Sequence, residues 1–320
     1  MIRTSRRRPA AAVSLLGAAA LMLSGCGTED DASGAADGAV TLGFVNGAAT
    51  HFHTCLLKSV EQTAKAEDAK LYSANSKQDA GTELSNIEDM ISRNVDALIV
   101  QTVNVDALEG DIAKAKSAGI PVFLTSVATG DMSDVLGVAK VDLKQVGALD
   151  AGWIAKDAAG KDVKVGIVAG APGAASDLLV GGFKDALPGT AKVVANQPGM
   201  FNPAKAQDVA ENMIQAHPDL DYAFVANEEM AFAVRKAFDA AGAKDVKIVS
   251  VNGTEDGVAA VKSGALSATV ANSAMTIGQT AVKNTIALLN KDKTVDKIAN
   301  IPLVLVTKDN VDEAPQYCPK

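Results

Sequence analysis

The sequence is poor in cysteine, histidine and aromatic residues. It holds 3 cysteines and 3 histidines in 320 residues, and aromatic residues make up 4%. So few cysteines exclude a disulfide-dense scaffold. The net charge of −8 excludes a general phosphate-binding surface, so we expect no nucleic-acid partner. With 48% hydrophobic and 21% charged residues, the chain can bury a large core and does not have the composition of a disordered protein.

The chain also lacks the motifs of common nucleotide-binding and hydrolytic enzymes. It contains no G-x-x-x-x-G-K-[ST] loop, no H-E-x-x-H helix and no G-x-S-x-G turn. Gly166, Gly170 and Gly173 do not have the spacing of a dinucleotide-binding turn. We therefore expect neither a cofactor nor enzymatic activity.

Two histidines and a cysteine alternate near the start of the folded region. In an extended segment, His51, His53 and Cys55 would face one way and could bind Zn²⁺. No second cluster of ligands follows, so we expect no metal site and assign these residues to a pocket wall or a helix entry. An enzyme that uses His51 or His53 with Asp177 is a further alternative, weakened because no nucleophile is paired with a base.

The first 25 residues have the features of a targeting sequence. Four arginines precede the apolar run Ala10–Leu23, which is 14 residues long. A membrane-spanning helix needs about 20. The run leads into Leu23-Ser24-Gly25-Cys26, which resembles the bacterial lipobox. We interpret residues 1–25 as a lipoprotein signal peptide and Cys26 as the lipidated residue; an ordinary cleaved signal is the alternative.

Residues 26–39 separate the signal from the first apolar run. After Cys26 they contain no large apolar side chain, so they cannot offset the entropy lost on ordering, and we interpret them as a flexible tether. Residues 1–25 carry four arginines and no acidic residue, so the mature chain would have a formal charge of −12. A lipid anchor and a tether indicate a folded part that works outside the cell, close to the membrane.

Two further cysteines, Cys55 and Cys318, lie near opposite ends of the folded region. An oxidising exterior permits a disulfide between them, which would close a very long loop. Two buried free thiols are the alternative, which we favour.

From Val40 onward, short apolar runs alternate with amphipathic stretches. This alternation predicts strands joined by helices in a mostly parallel sheet with helices on both faces, an α/β fold. The predicted strands are Thr41–Val45, Ala97–Val100, Pro121–Leu124, Val163–Val168, Tyr222–Val225, Val246–Val251 and Ala268–Ala271. The predicted helices lie near 54–68, 82–93, 107–118, 143–158, 175–186, 203–217, 228–241, 255–263 and 275–290. About 280 residues exceed one comfortable core, so we predict two lobes with a split near residues 140–143.

Ligands of open α/β sheets bind beyond the carboxyl ends of the strands. The residues at those positions are Asn46, Gln101, Ser126, Asn227, Asn252 and Asn272. Five of the six are amides, which both donate and accept hydrogen bonds and therefore suit a neutral ligand with several hydroxyl groups. A local role in turns is the alternative for each of them, notably for Asn252-Gly253.

Several strings in this order carry a resemblance to a known family: Ala216-His217-Pro218-Asp219, Val225–Ala231, Asn252–Gly257 and Val261–Val270. Over residues 40 to about 310 the chain resembles the periplasmic binding proteins of the ribose and sugar group (type I), the solute receptors of ABC importers. The resemblance implies two doubly wound parallel-sheet lobes joined by a three-strand hinge. It implies residues 40–142 and 273–302 as lobe I, and residues 143–272 and 303–320 as lobe II.

The resemblance also implies roles for individual residues. The amides that contact ligand in the family fall on Gln101, Asn227 and Asn272. The aromatic platforms fall on Phe52, with His53 beside it, and on Phe201, where rings would stack on a sugar. A structural staple at the helix entrance is the alternative for Phe52.

Departures from the family pattern bear on the ligand. Ser126-Val127 stands where the family has an Asp-Arg pair, Asp177-Leu178-Leu179 where it has an arginine, and Asn252 where it has an aspartate. The charged clamps on hydroxyl groups are therefore lost. We keep Asp177 and Asn252 in the predicted site and expect a neutral polyol, a modified sugar or a sugar-like molecule rather than a common pentose or hexose.

Together these observations predict a lipid-anchored receptor whose lobes close on a small solute and deliver it to an ABC permease. We expect a monomer on the outer face of the cytoplasmic membrane or in the periplasm. A sensor that presents the bound solute to a membrane protein is the alternative. Related transcription repressors share the two-lobe core, but here a signal and lipobox stand in place of their DNA-binding helices.

Overall fold

The computed structural model describes residues 38–320. The predictions for the signal peptide (1–25), the lipidated Cys26 and the tether up to residue 37 lie outside the described residues. Residues 39–320 form one compact unit. No helix between residues 38 and 320 is both long enough and apolar enough to cross a bilayer.

Strands and helices alternate along the described chain. The strands are β1 (Thr41–Asn46), β2 (Lys70–Asn75), β3 (Ala97–Gln101), β4 (Val122–Ser126), β5 (Gly137–Lys140), β6 (Val163–Ala169), β7 (Ala191–Pro198), β8 (Tyr222–Val225), β9 (Lys247–Asn252), β10 (Ala268–Ala271), β11 (Ile298–Asn300) and β12 (Val304–Thr307). The helices are α1 (His51–Ala66), α2 (Ala80–Ser92), α3 (Val105–Ser117), α4 (Leu143–Ala158), α5 (Ala174–Ala186), α6 (Pro203–Ala216), α7 (Glu228–Ala240), α8 (Glu255–Ser263) and α9 (Ala274–Leu289), followed by a 3₁₀ turn at Val311–Glu313.

These strands form two sheets of six. Lobe I has the order β11-β5-β4-β3-β1-β2, and lobe II has the order β12-β10-β9-β8-β6-β7. Among the described pairs all are parallel except β10 with β12. The predicted fold class, two doubly wound parallel-sheet lobes with a three-strand hinge, is confirmed.

The chain passes between the lobes at three places. It leaves lobe I between β5 and α4, returns between β10 and α9, and leaves again between β11 and β12. Helix α9 packs on α1, which places it with lobe I. The hinge therefore lies along one edge of both sheets.

The end of the chain departs from the predicted lobe II assignment of residues 303–320. Ser273 Oγ donates to the Gln316 carbonyl (2.6 Å), and the Met275 amide donates to the Tyr317 carbonyl (2.9 Å). Cys318 forms a disulfide with Cys55 of α1. After β12 the tail thus returns to lobe I, held by hydrogen bonds to α9 and by a covalent bond to α1, and the favoured reading of two free thiols is wrong.

Local sequence signals explain the helix boundaries. Asn202 caps α6 by accepting from the Lys205 amide (3.0 Å), Pro203 occupies the first helical position, and Pro218 follows the helix. Helix α1 begins at His51, three residues before the predicted start. The extended alternation of His51, His53 and Cys55 is therefore wrong, because helical geometry turns His53 away from the other two.

Candidate ligand-binding site

A cavity of about 340 Å³ lies between the lobes at the carboxyl ends of the strands. We call it the cleft. Eight of the ten predicted site residues line it: Phe52, His53, Gln101, Ser126, Phe201, Asn227, Asn252 and Asn272. The residues predicted from the strand ends and the residues implied by the family resemblance therefore line the same cavity.

Asn46 and Asp177 do not line the cleft. Asn46 is buried at the end of β1, where its side-chain amide donates to the His53 carbonyl (2.9 Å) and so braces the start of α1. On α5, Ser176 and Leu179 line the cleft, three residues apart on one helix face. Asp177 is off that face and exposed, so its placement in the site is a wrong prediction.

Two of the amides have their oxygen atoms occupied by the protein. Asn227 Oδ1 accepts from the Met230 amide (2.9 Å) and caps α7. Gln101 Oε1 accepts from Thr125 Oγ1 (2.8 Å). Each amide then has its NH₂ group left for the cleft. The ligand must offer acceptors at these two points, as hydroxyl oxygens do.

His53 lies in the cleft wall as a neutral ring. Burial lowers the pKa of His53 to about 4, so the imidazole is uncharged at neutral pH. Its Nδ1 is 2.9 Å from Thr50 Oγ1, and its ring meets the Phe52 ring edge to face at 5.1 Å between centroids. Thr50, Phe52 and His53 together give this wall a mixed polar and aromatic surface without charge.

Phe201 occupies the opposite lobe and depends on a glycine. A Cβ atom at Gly170 would lie 2.1 Å from the Phe201 ring, so only glycine leaves room for the ring in this position. Phe201 itself has a φ of 50°, and Met200 before it has 61°. The turn between β7 and α6 is thus strained in order to present this ring to the cleft.

Two polar residues in the cleft also have left-handed backbones, Ser126 with a φ of 65° and Asn252 with 131°. The Ser126 hydroxyl is buried and has no hydrogen-bond partner within the described residues. A buried hydroxyl without a partner is costly to a folded protein, so it is the natural place for a ligand hydrogen bond.

Comparison with known proteins bears on this arrangement. A family model described as "Periplasmic binding protein domain" matches residues 42–293. The ribose import binding protein of Bacillus subtilis is 32% identical over 258 residues, which cover 80% of this chain and 83% of that protein. The chain belongs to the periplasmic binding protein family.

One further relative and one solved structure extend the comparison. A xylitol-binding protein of Mycolicibacterium smegmatis is 28% identical over 96% of this chain and 87% of its own length. A crystal structure of an ABC transporter solute-binding protein from Mycobacterium smegmatis, with glycerol bound, superposes with a TM-score of 0.82. That superposition covers 88% of this chain and 100% of the other at 23% identity, and so bears on the fold.

A periplasmic binding protein binds solutes outside the cytoplasm and is not an enzyme. Two of the residues considered above as zinc ligands, His51 and Cys55, lie close to Cys318, with ligand atoms within 4.8 Å of one another. The two sulfur atoms are joined in the disulfide and therefore offer no thiolate to a metal.

Sequence reasoning missed part of the lining of this periplasmic binding protein. The missed polar residues are Thr50, Gln78, Thr102 and Ser176, and the missed apolar ones include Val127, Val141, Leu143 and Leu179. Among the described residues that line the cleft, none is aspartate, glutamate, lysine or arginine. Val127 and Leu179 belong to the two strings that depart from the family pattern, and the loss of charge in those strings was the available signal for an uncharged site.

Buried glutamates hold the loops that border the cleft. Glu228 accepts from the amides of Gly253 and Thr254 (2.9 Å each) and from the hydroxyls of Thr254 and Thr269 (2.5 and 2.6 Å). Glu83 accepts from Thr102 Oγ1 (2.6 Å) and from the Val103 amide (2.7 Å). Burial raises the pKa of both carboxyls. Through these contacts Glu228 has a structural role at the loop between β9 and α8.

Proposed function

We propose that this chain is a lipid-anchored, extracytoplasmic receptor whose lobes close on a small, neutral, polyhydroxylated ligand and deliver it to an ABC import permease. The observation that carries the proposal is the cleft. It lies between two hinged lobes, none of its lining residues within 38–320 is Asp, Glu, Lys or Arg, and amides occupy the strand ends around it.

The ligand would be bound by two kinds of contact. Gln101, Asn227, Asn252, Asn272 and Ser126 would exchange hydrogen bonds with its hydroxyl groups. Phe52 and Phe201, with His53 beside Phe52, would pack on its carbon face. The relatives' names point the same way, because ribose and xylitol are both neutral polyols.

The N-terminal segment supports the lipid anchor. The basic segment, the apolar run and the lipobox-like tetrapeptide support cleavage before Cys26 and lipidation of its thiol. One chain supplies both lobes, and the two lobes together enclose the cleft, which supports a monomer. We also propose residues 40–142 with 273–302 as lobe I, and residues 143–272 with 303–315 as lobe II.

A thermal-shift panel of the mature protein tests the proposal. The compounds are pentoses, hexoses, polyols, modified sugars, nucleosides and amino acids. A ligand at 1,000 times its Kd adds about 4 kcal/mol to the free energy of unfolding, which raises the Tm by several degrees. We expect a saturable shift with sugars or polyols and none with amino acids. No shift with any neutral polyol, or conversion of the bound compound, would contradict the proposal.

A further inference from the structure

One side of the cleft is aliphatic. Val127, Val141, Leu143 and Leu179, which we call the hinge-side wall, all line the cleft. Val127 follows β4, Val141 lies on the first crossing between the lobes, and Leu143 and Leu179 belong to α4 and α5. Each is at most 9% exposed, and all four belong to one hydrophobic cluster that runs through both lobes. At this wall the hydrophobic core of the protein therefore borders the cleft.

The backbone of the wall offers the ligand no free donor among these residues. The Val127 amide donates to the Thr125 carbonyl (2.8 Å), and the Val141 amide donates to the Ser126 carbonyl (2.9 Å). The Leu143 amide donates to the Val141 carbonyl (3.0 Å), and Leu179 lies inside α5. The Ser126 hydroxyl, from the residue before Val127, is a buried polar group of the cleft without a hydrogen-bond partner among the described residues.

A ligand hydroxyl turned towards this wall would lose its water and meet aliphatic side chains with no free N–H donor among these residues, which weakens binding. A methyl or methylene group there would instead gain apolar contact, which strengthens binding. Both effects favour a ligand whose end nearest the hinge carries no hydroxyl group.

We propose that the ligand is an amphiphilic polyol. Its hydroxyl groups face the amides and Ser126, and a deoxy, methyl or O-methyl position faces the hinge-side wall. This inference rests on the proposed function and narrows its substrate class.

Matched pairs of compounds test the inference by calorimetric titration of the mature protein. The pairs are D-ribose with 5-deoxy-D-ribose, D-galactose with D-fucose, and myo-inositol with its mono-O-methyl ether. We expect the deoxy or O-methyl member to bind at least tenfold tighter in at least one pair. If no pair shows that preference although polyols bind, the inference is overturned and the proposed function stands. If no neutral polyol binds at all, both are overturned.

A pair of variants assigns the preference to the wall. Val127→Thr adds a hydroxyl to the wall with little change of shape, and we expect it to reduce the preference at least fivefold. Val122→Thr is the matched control, because Val122 is a buried valine of β4 outside the cleft. It should lower stability and leave the preference unchanged. An equal effect of both variants on the preference would show that the wall does not contact the ligand.

Discussion

At the scale of single residues, the position of a residue at a strand end does not fix the direction of its side chain. Asn46 and Asn252 both end strands, yet the first donates to the His53 carbonyl and the second lines the cleft. A sequence shows the strand end through the apolar run that precedes it. The direction depends on neighbouring elements, here on the start of α1 beside β1.

Substitution of Ser126 should affect ligand affinity and the free energy of unfolding differently. Its hydroxyl is buried without a protein partner, so Ser126→Ala should leave the free energy of unfolding unchanged or raise it by up to about 1 kcal/mol. The same variant should weaken binding of D-ribose, or of the tightest compound in the panel, about five- to a hundredfold, because a ligand hydrogen bond worth about 1–3 kcal/mol is lost. Chemical denaturation and calorimetric titration measure the two quantities.

Ser250→Ala is the control for this variant. Ser250 is a buried serine of β9 outside the cleft, and its hydroxyl donates to the Val225 carbonyl (2.9 Å). Its loss should lower the free energy of unfolding by about 1 kcal/mol and leave affinity unchanged. Equal affinities for wild type and Ser126→Ala would remove Ser126 from the site.

At the scale of elements, the sequence predicts the centre of each sheet better than its edges. All residues of β3 and β4 are buried, and continuous apolar runs revealed both strands. Strands β2 and β7 lie at sheet edges and are partly exposed, so they carry polar residues and show no apolar run. The lining from α5 was missed for a related reason, because only the packed helix shows which of its faces meets the cleft.

The loop between β9 and α8 depends on one carboxylate, that of Glu228. Glu228→Gln keeps the shape but replaces one acceptor with an NH₂ group that faces backbone N–H donors. We expect the free energy of unfolding to fall by about 1–3 kcal/mol. We also expect weaker ligand binding, because the loop holds Asn252 in the cleft. Denaturant unfolding with and without ligand measures both effects.

The neighbouring residue provides a matched control for this change. Glu229 is partly exposed, and within residues 38–320 its carboxylate accepts from the His51 amide alone, at 3.3 Å. Glu229→Gln should therefore change the free energy of unfolding by no more than about 0.5 kcal/mol. If both variants unfold alike, Glu228 does not hold the loop.

At the scale of the whole molecule, the tail adds a fourth connection between the lobes. After β12 in lobe II, the Cys318 sulfur is bonded to Cys55 of α1 in lobe I. Tyr317 is buried and stacks on His51 with 5.8 Å between ring centroids. The two cysteines are 263 residues apart, and no local pattern in a sequence reports contact over that distance. The disulfide between Cys55 and Cys318 is therefore recognised only in the folded structure.

This connection should limit how far the lobes open. The double variant Cys55→Ser/Cys318→Ser should lower the free energy of unfolding by about 2–5 kcal/mol, since the bond closes a long loop in the unfolded chain. It should also increase the radius of gyration of the ligand-free protein in small-angle X-ray scattering, because the three hinge strands are then the only covalent connections between the lobes among the described residues. With saturating ligand, the radius should equal that of wild type, because the closed form needs no tether.

A core variant separates opening from general destabilisation. Phe238→Leu removes packing inside lobe II, where Phe238 is fully buried, and leaves every connection between the lobes in place. It should lower stability by about 1–3 kcal/mol without changing the ligand-free radius. If the cysteine variant also keeps the wild-type radius, the tail stabilises the protein without restraining the hinge. An increase confined to the cysteine variant would make the disulfide the element that sets the open state, and reduction of wild type should then reproduce it.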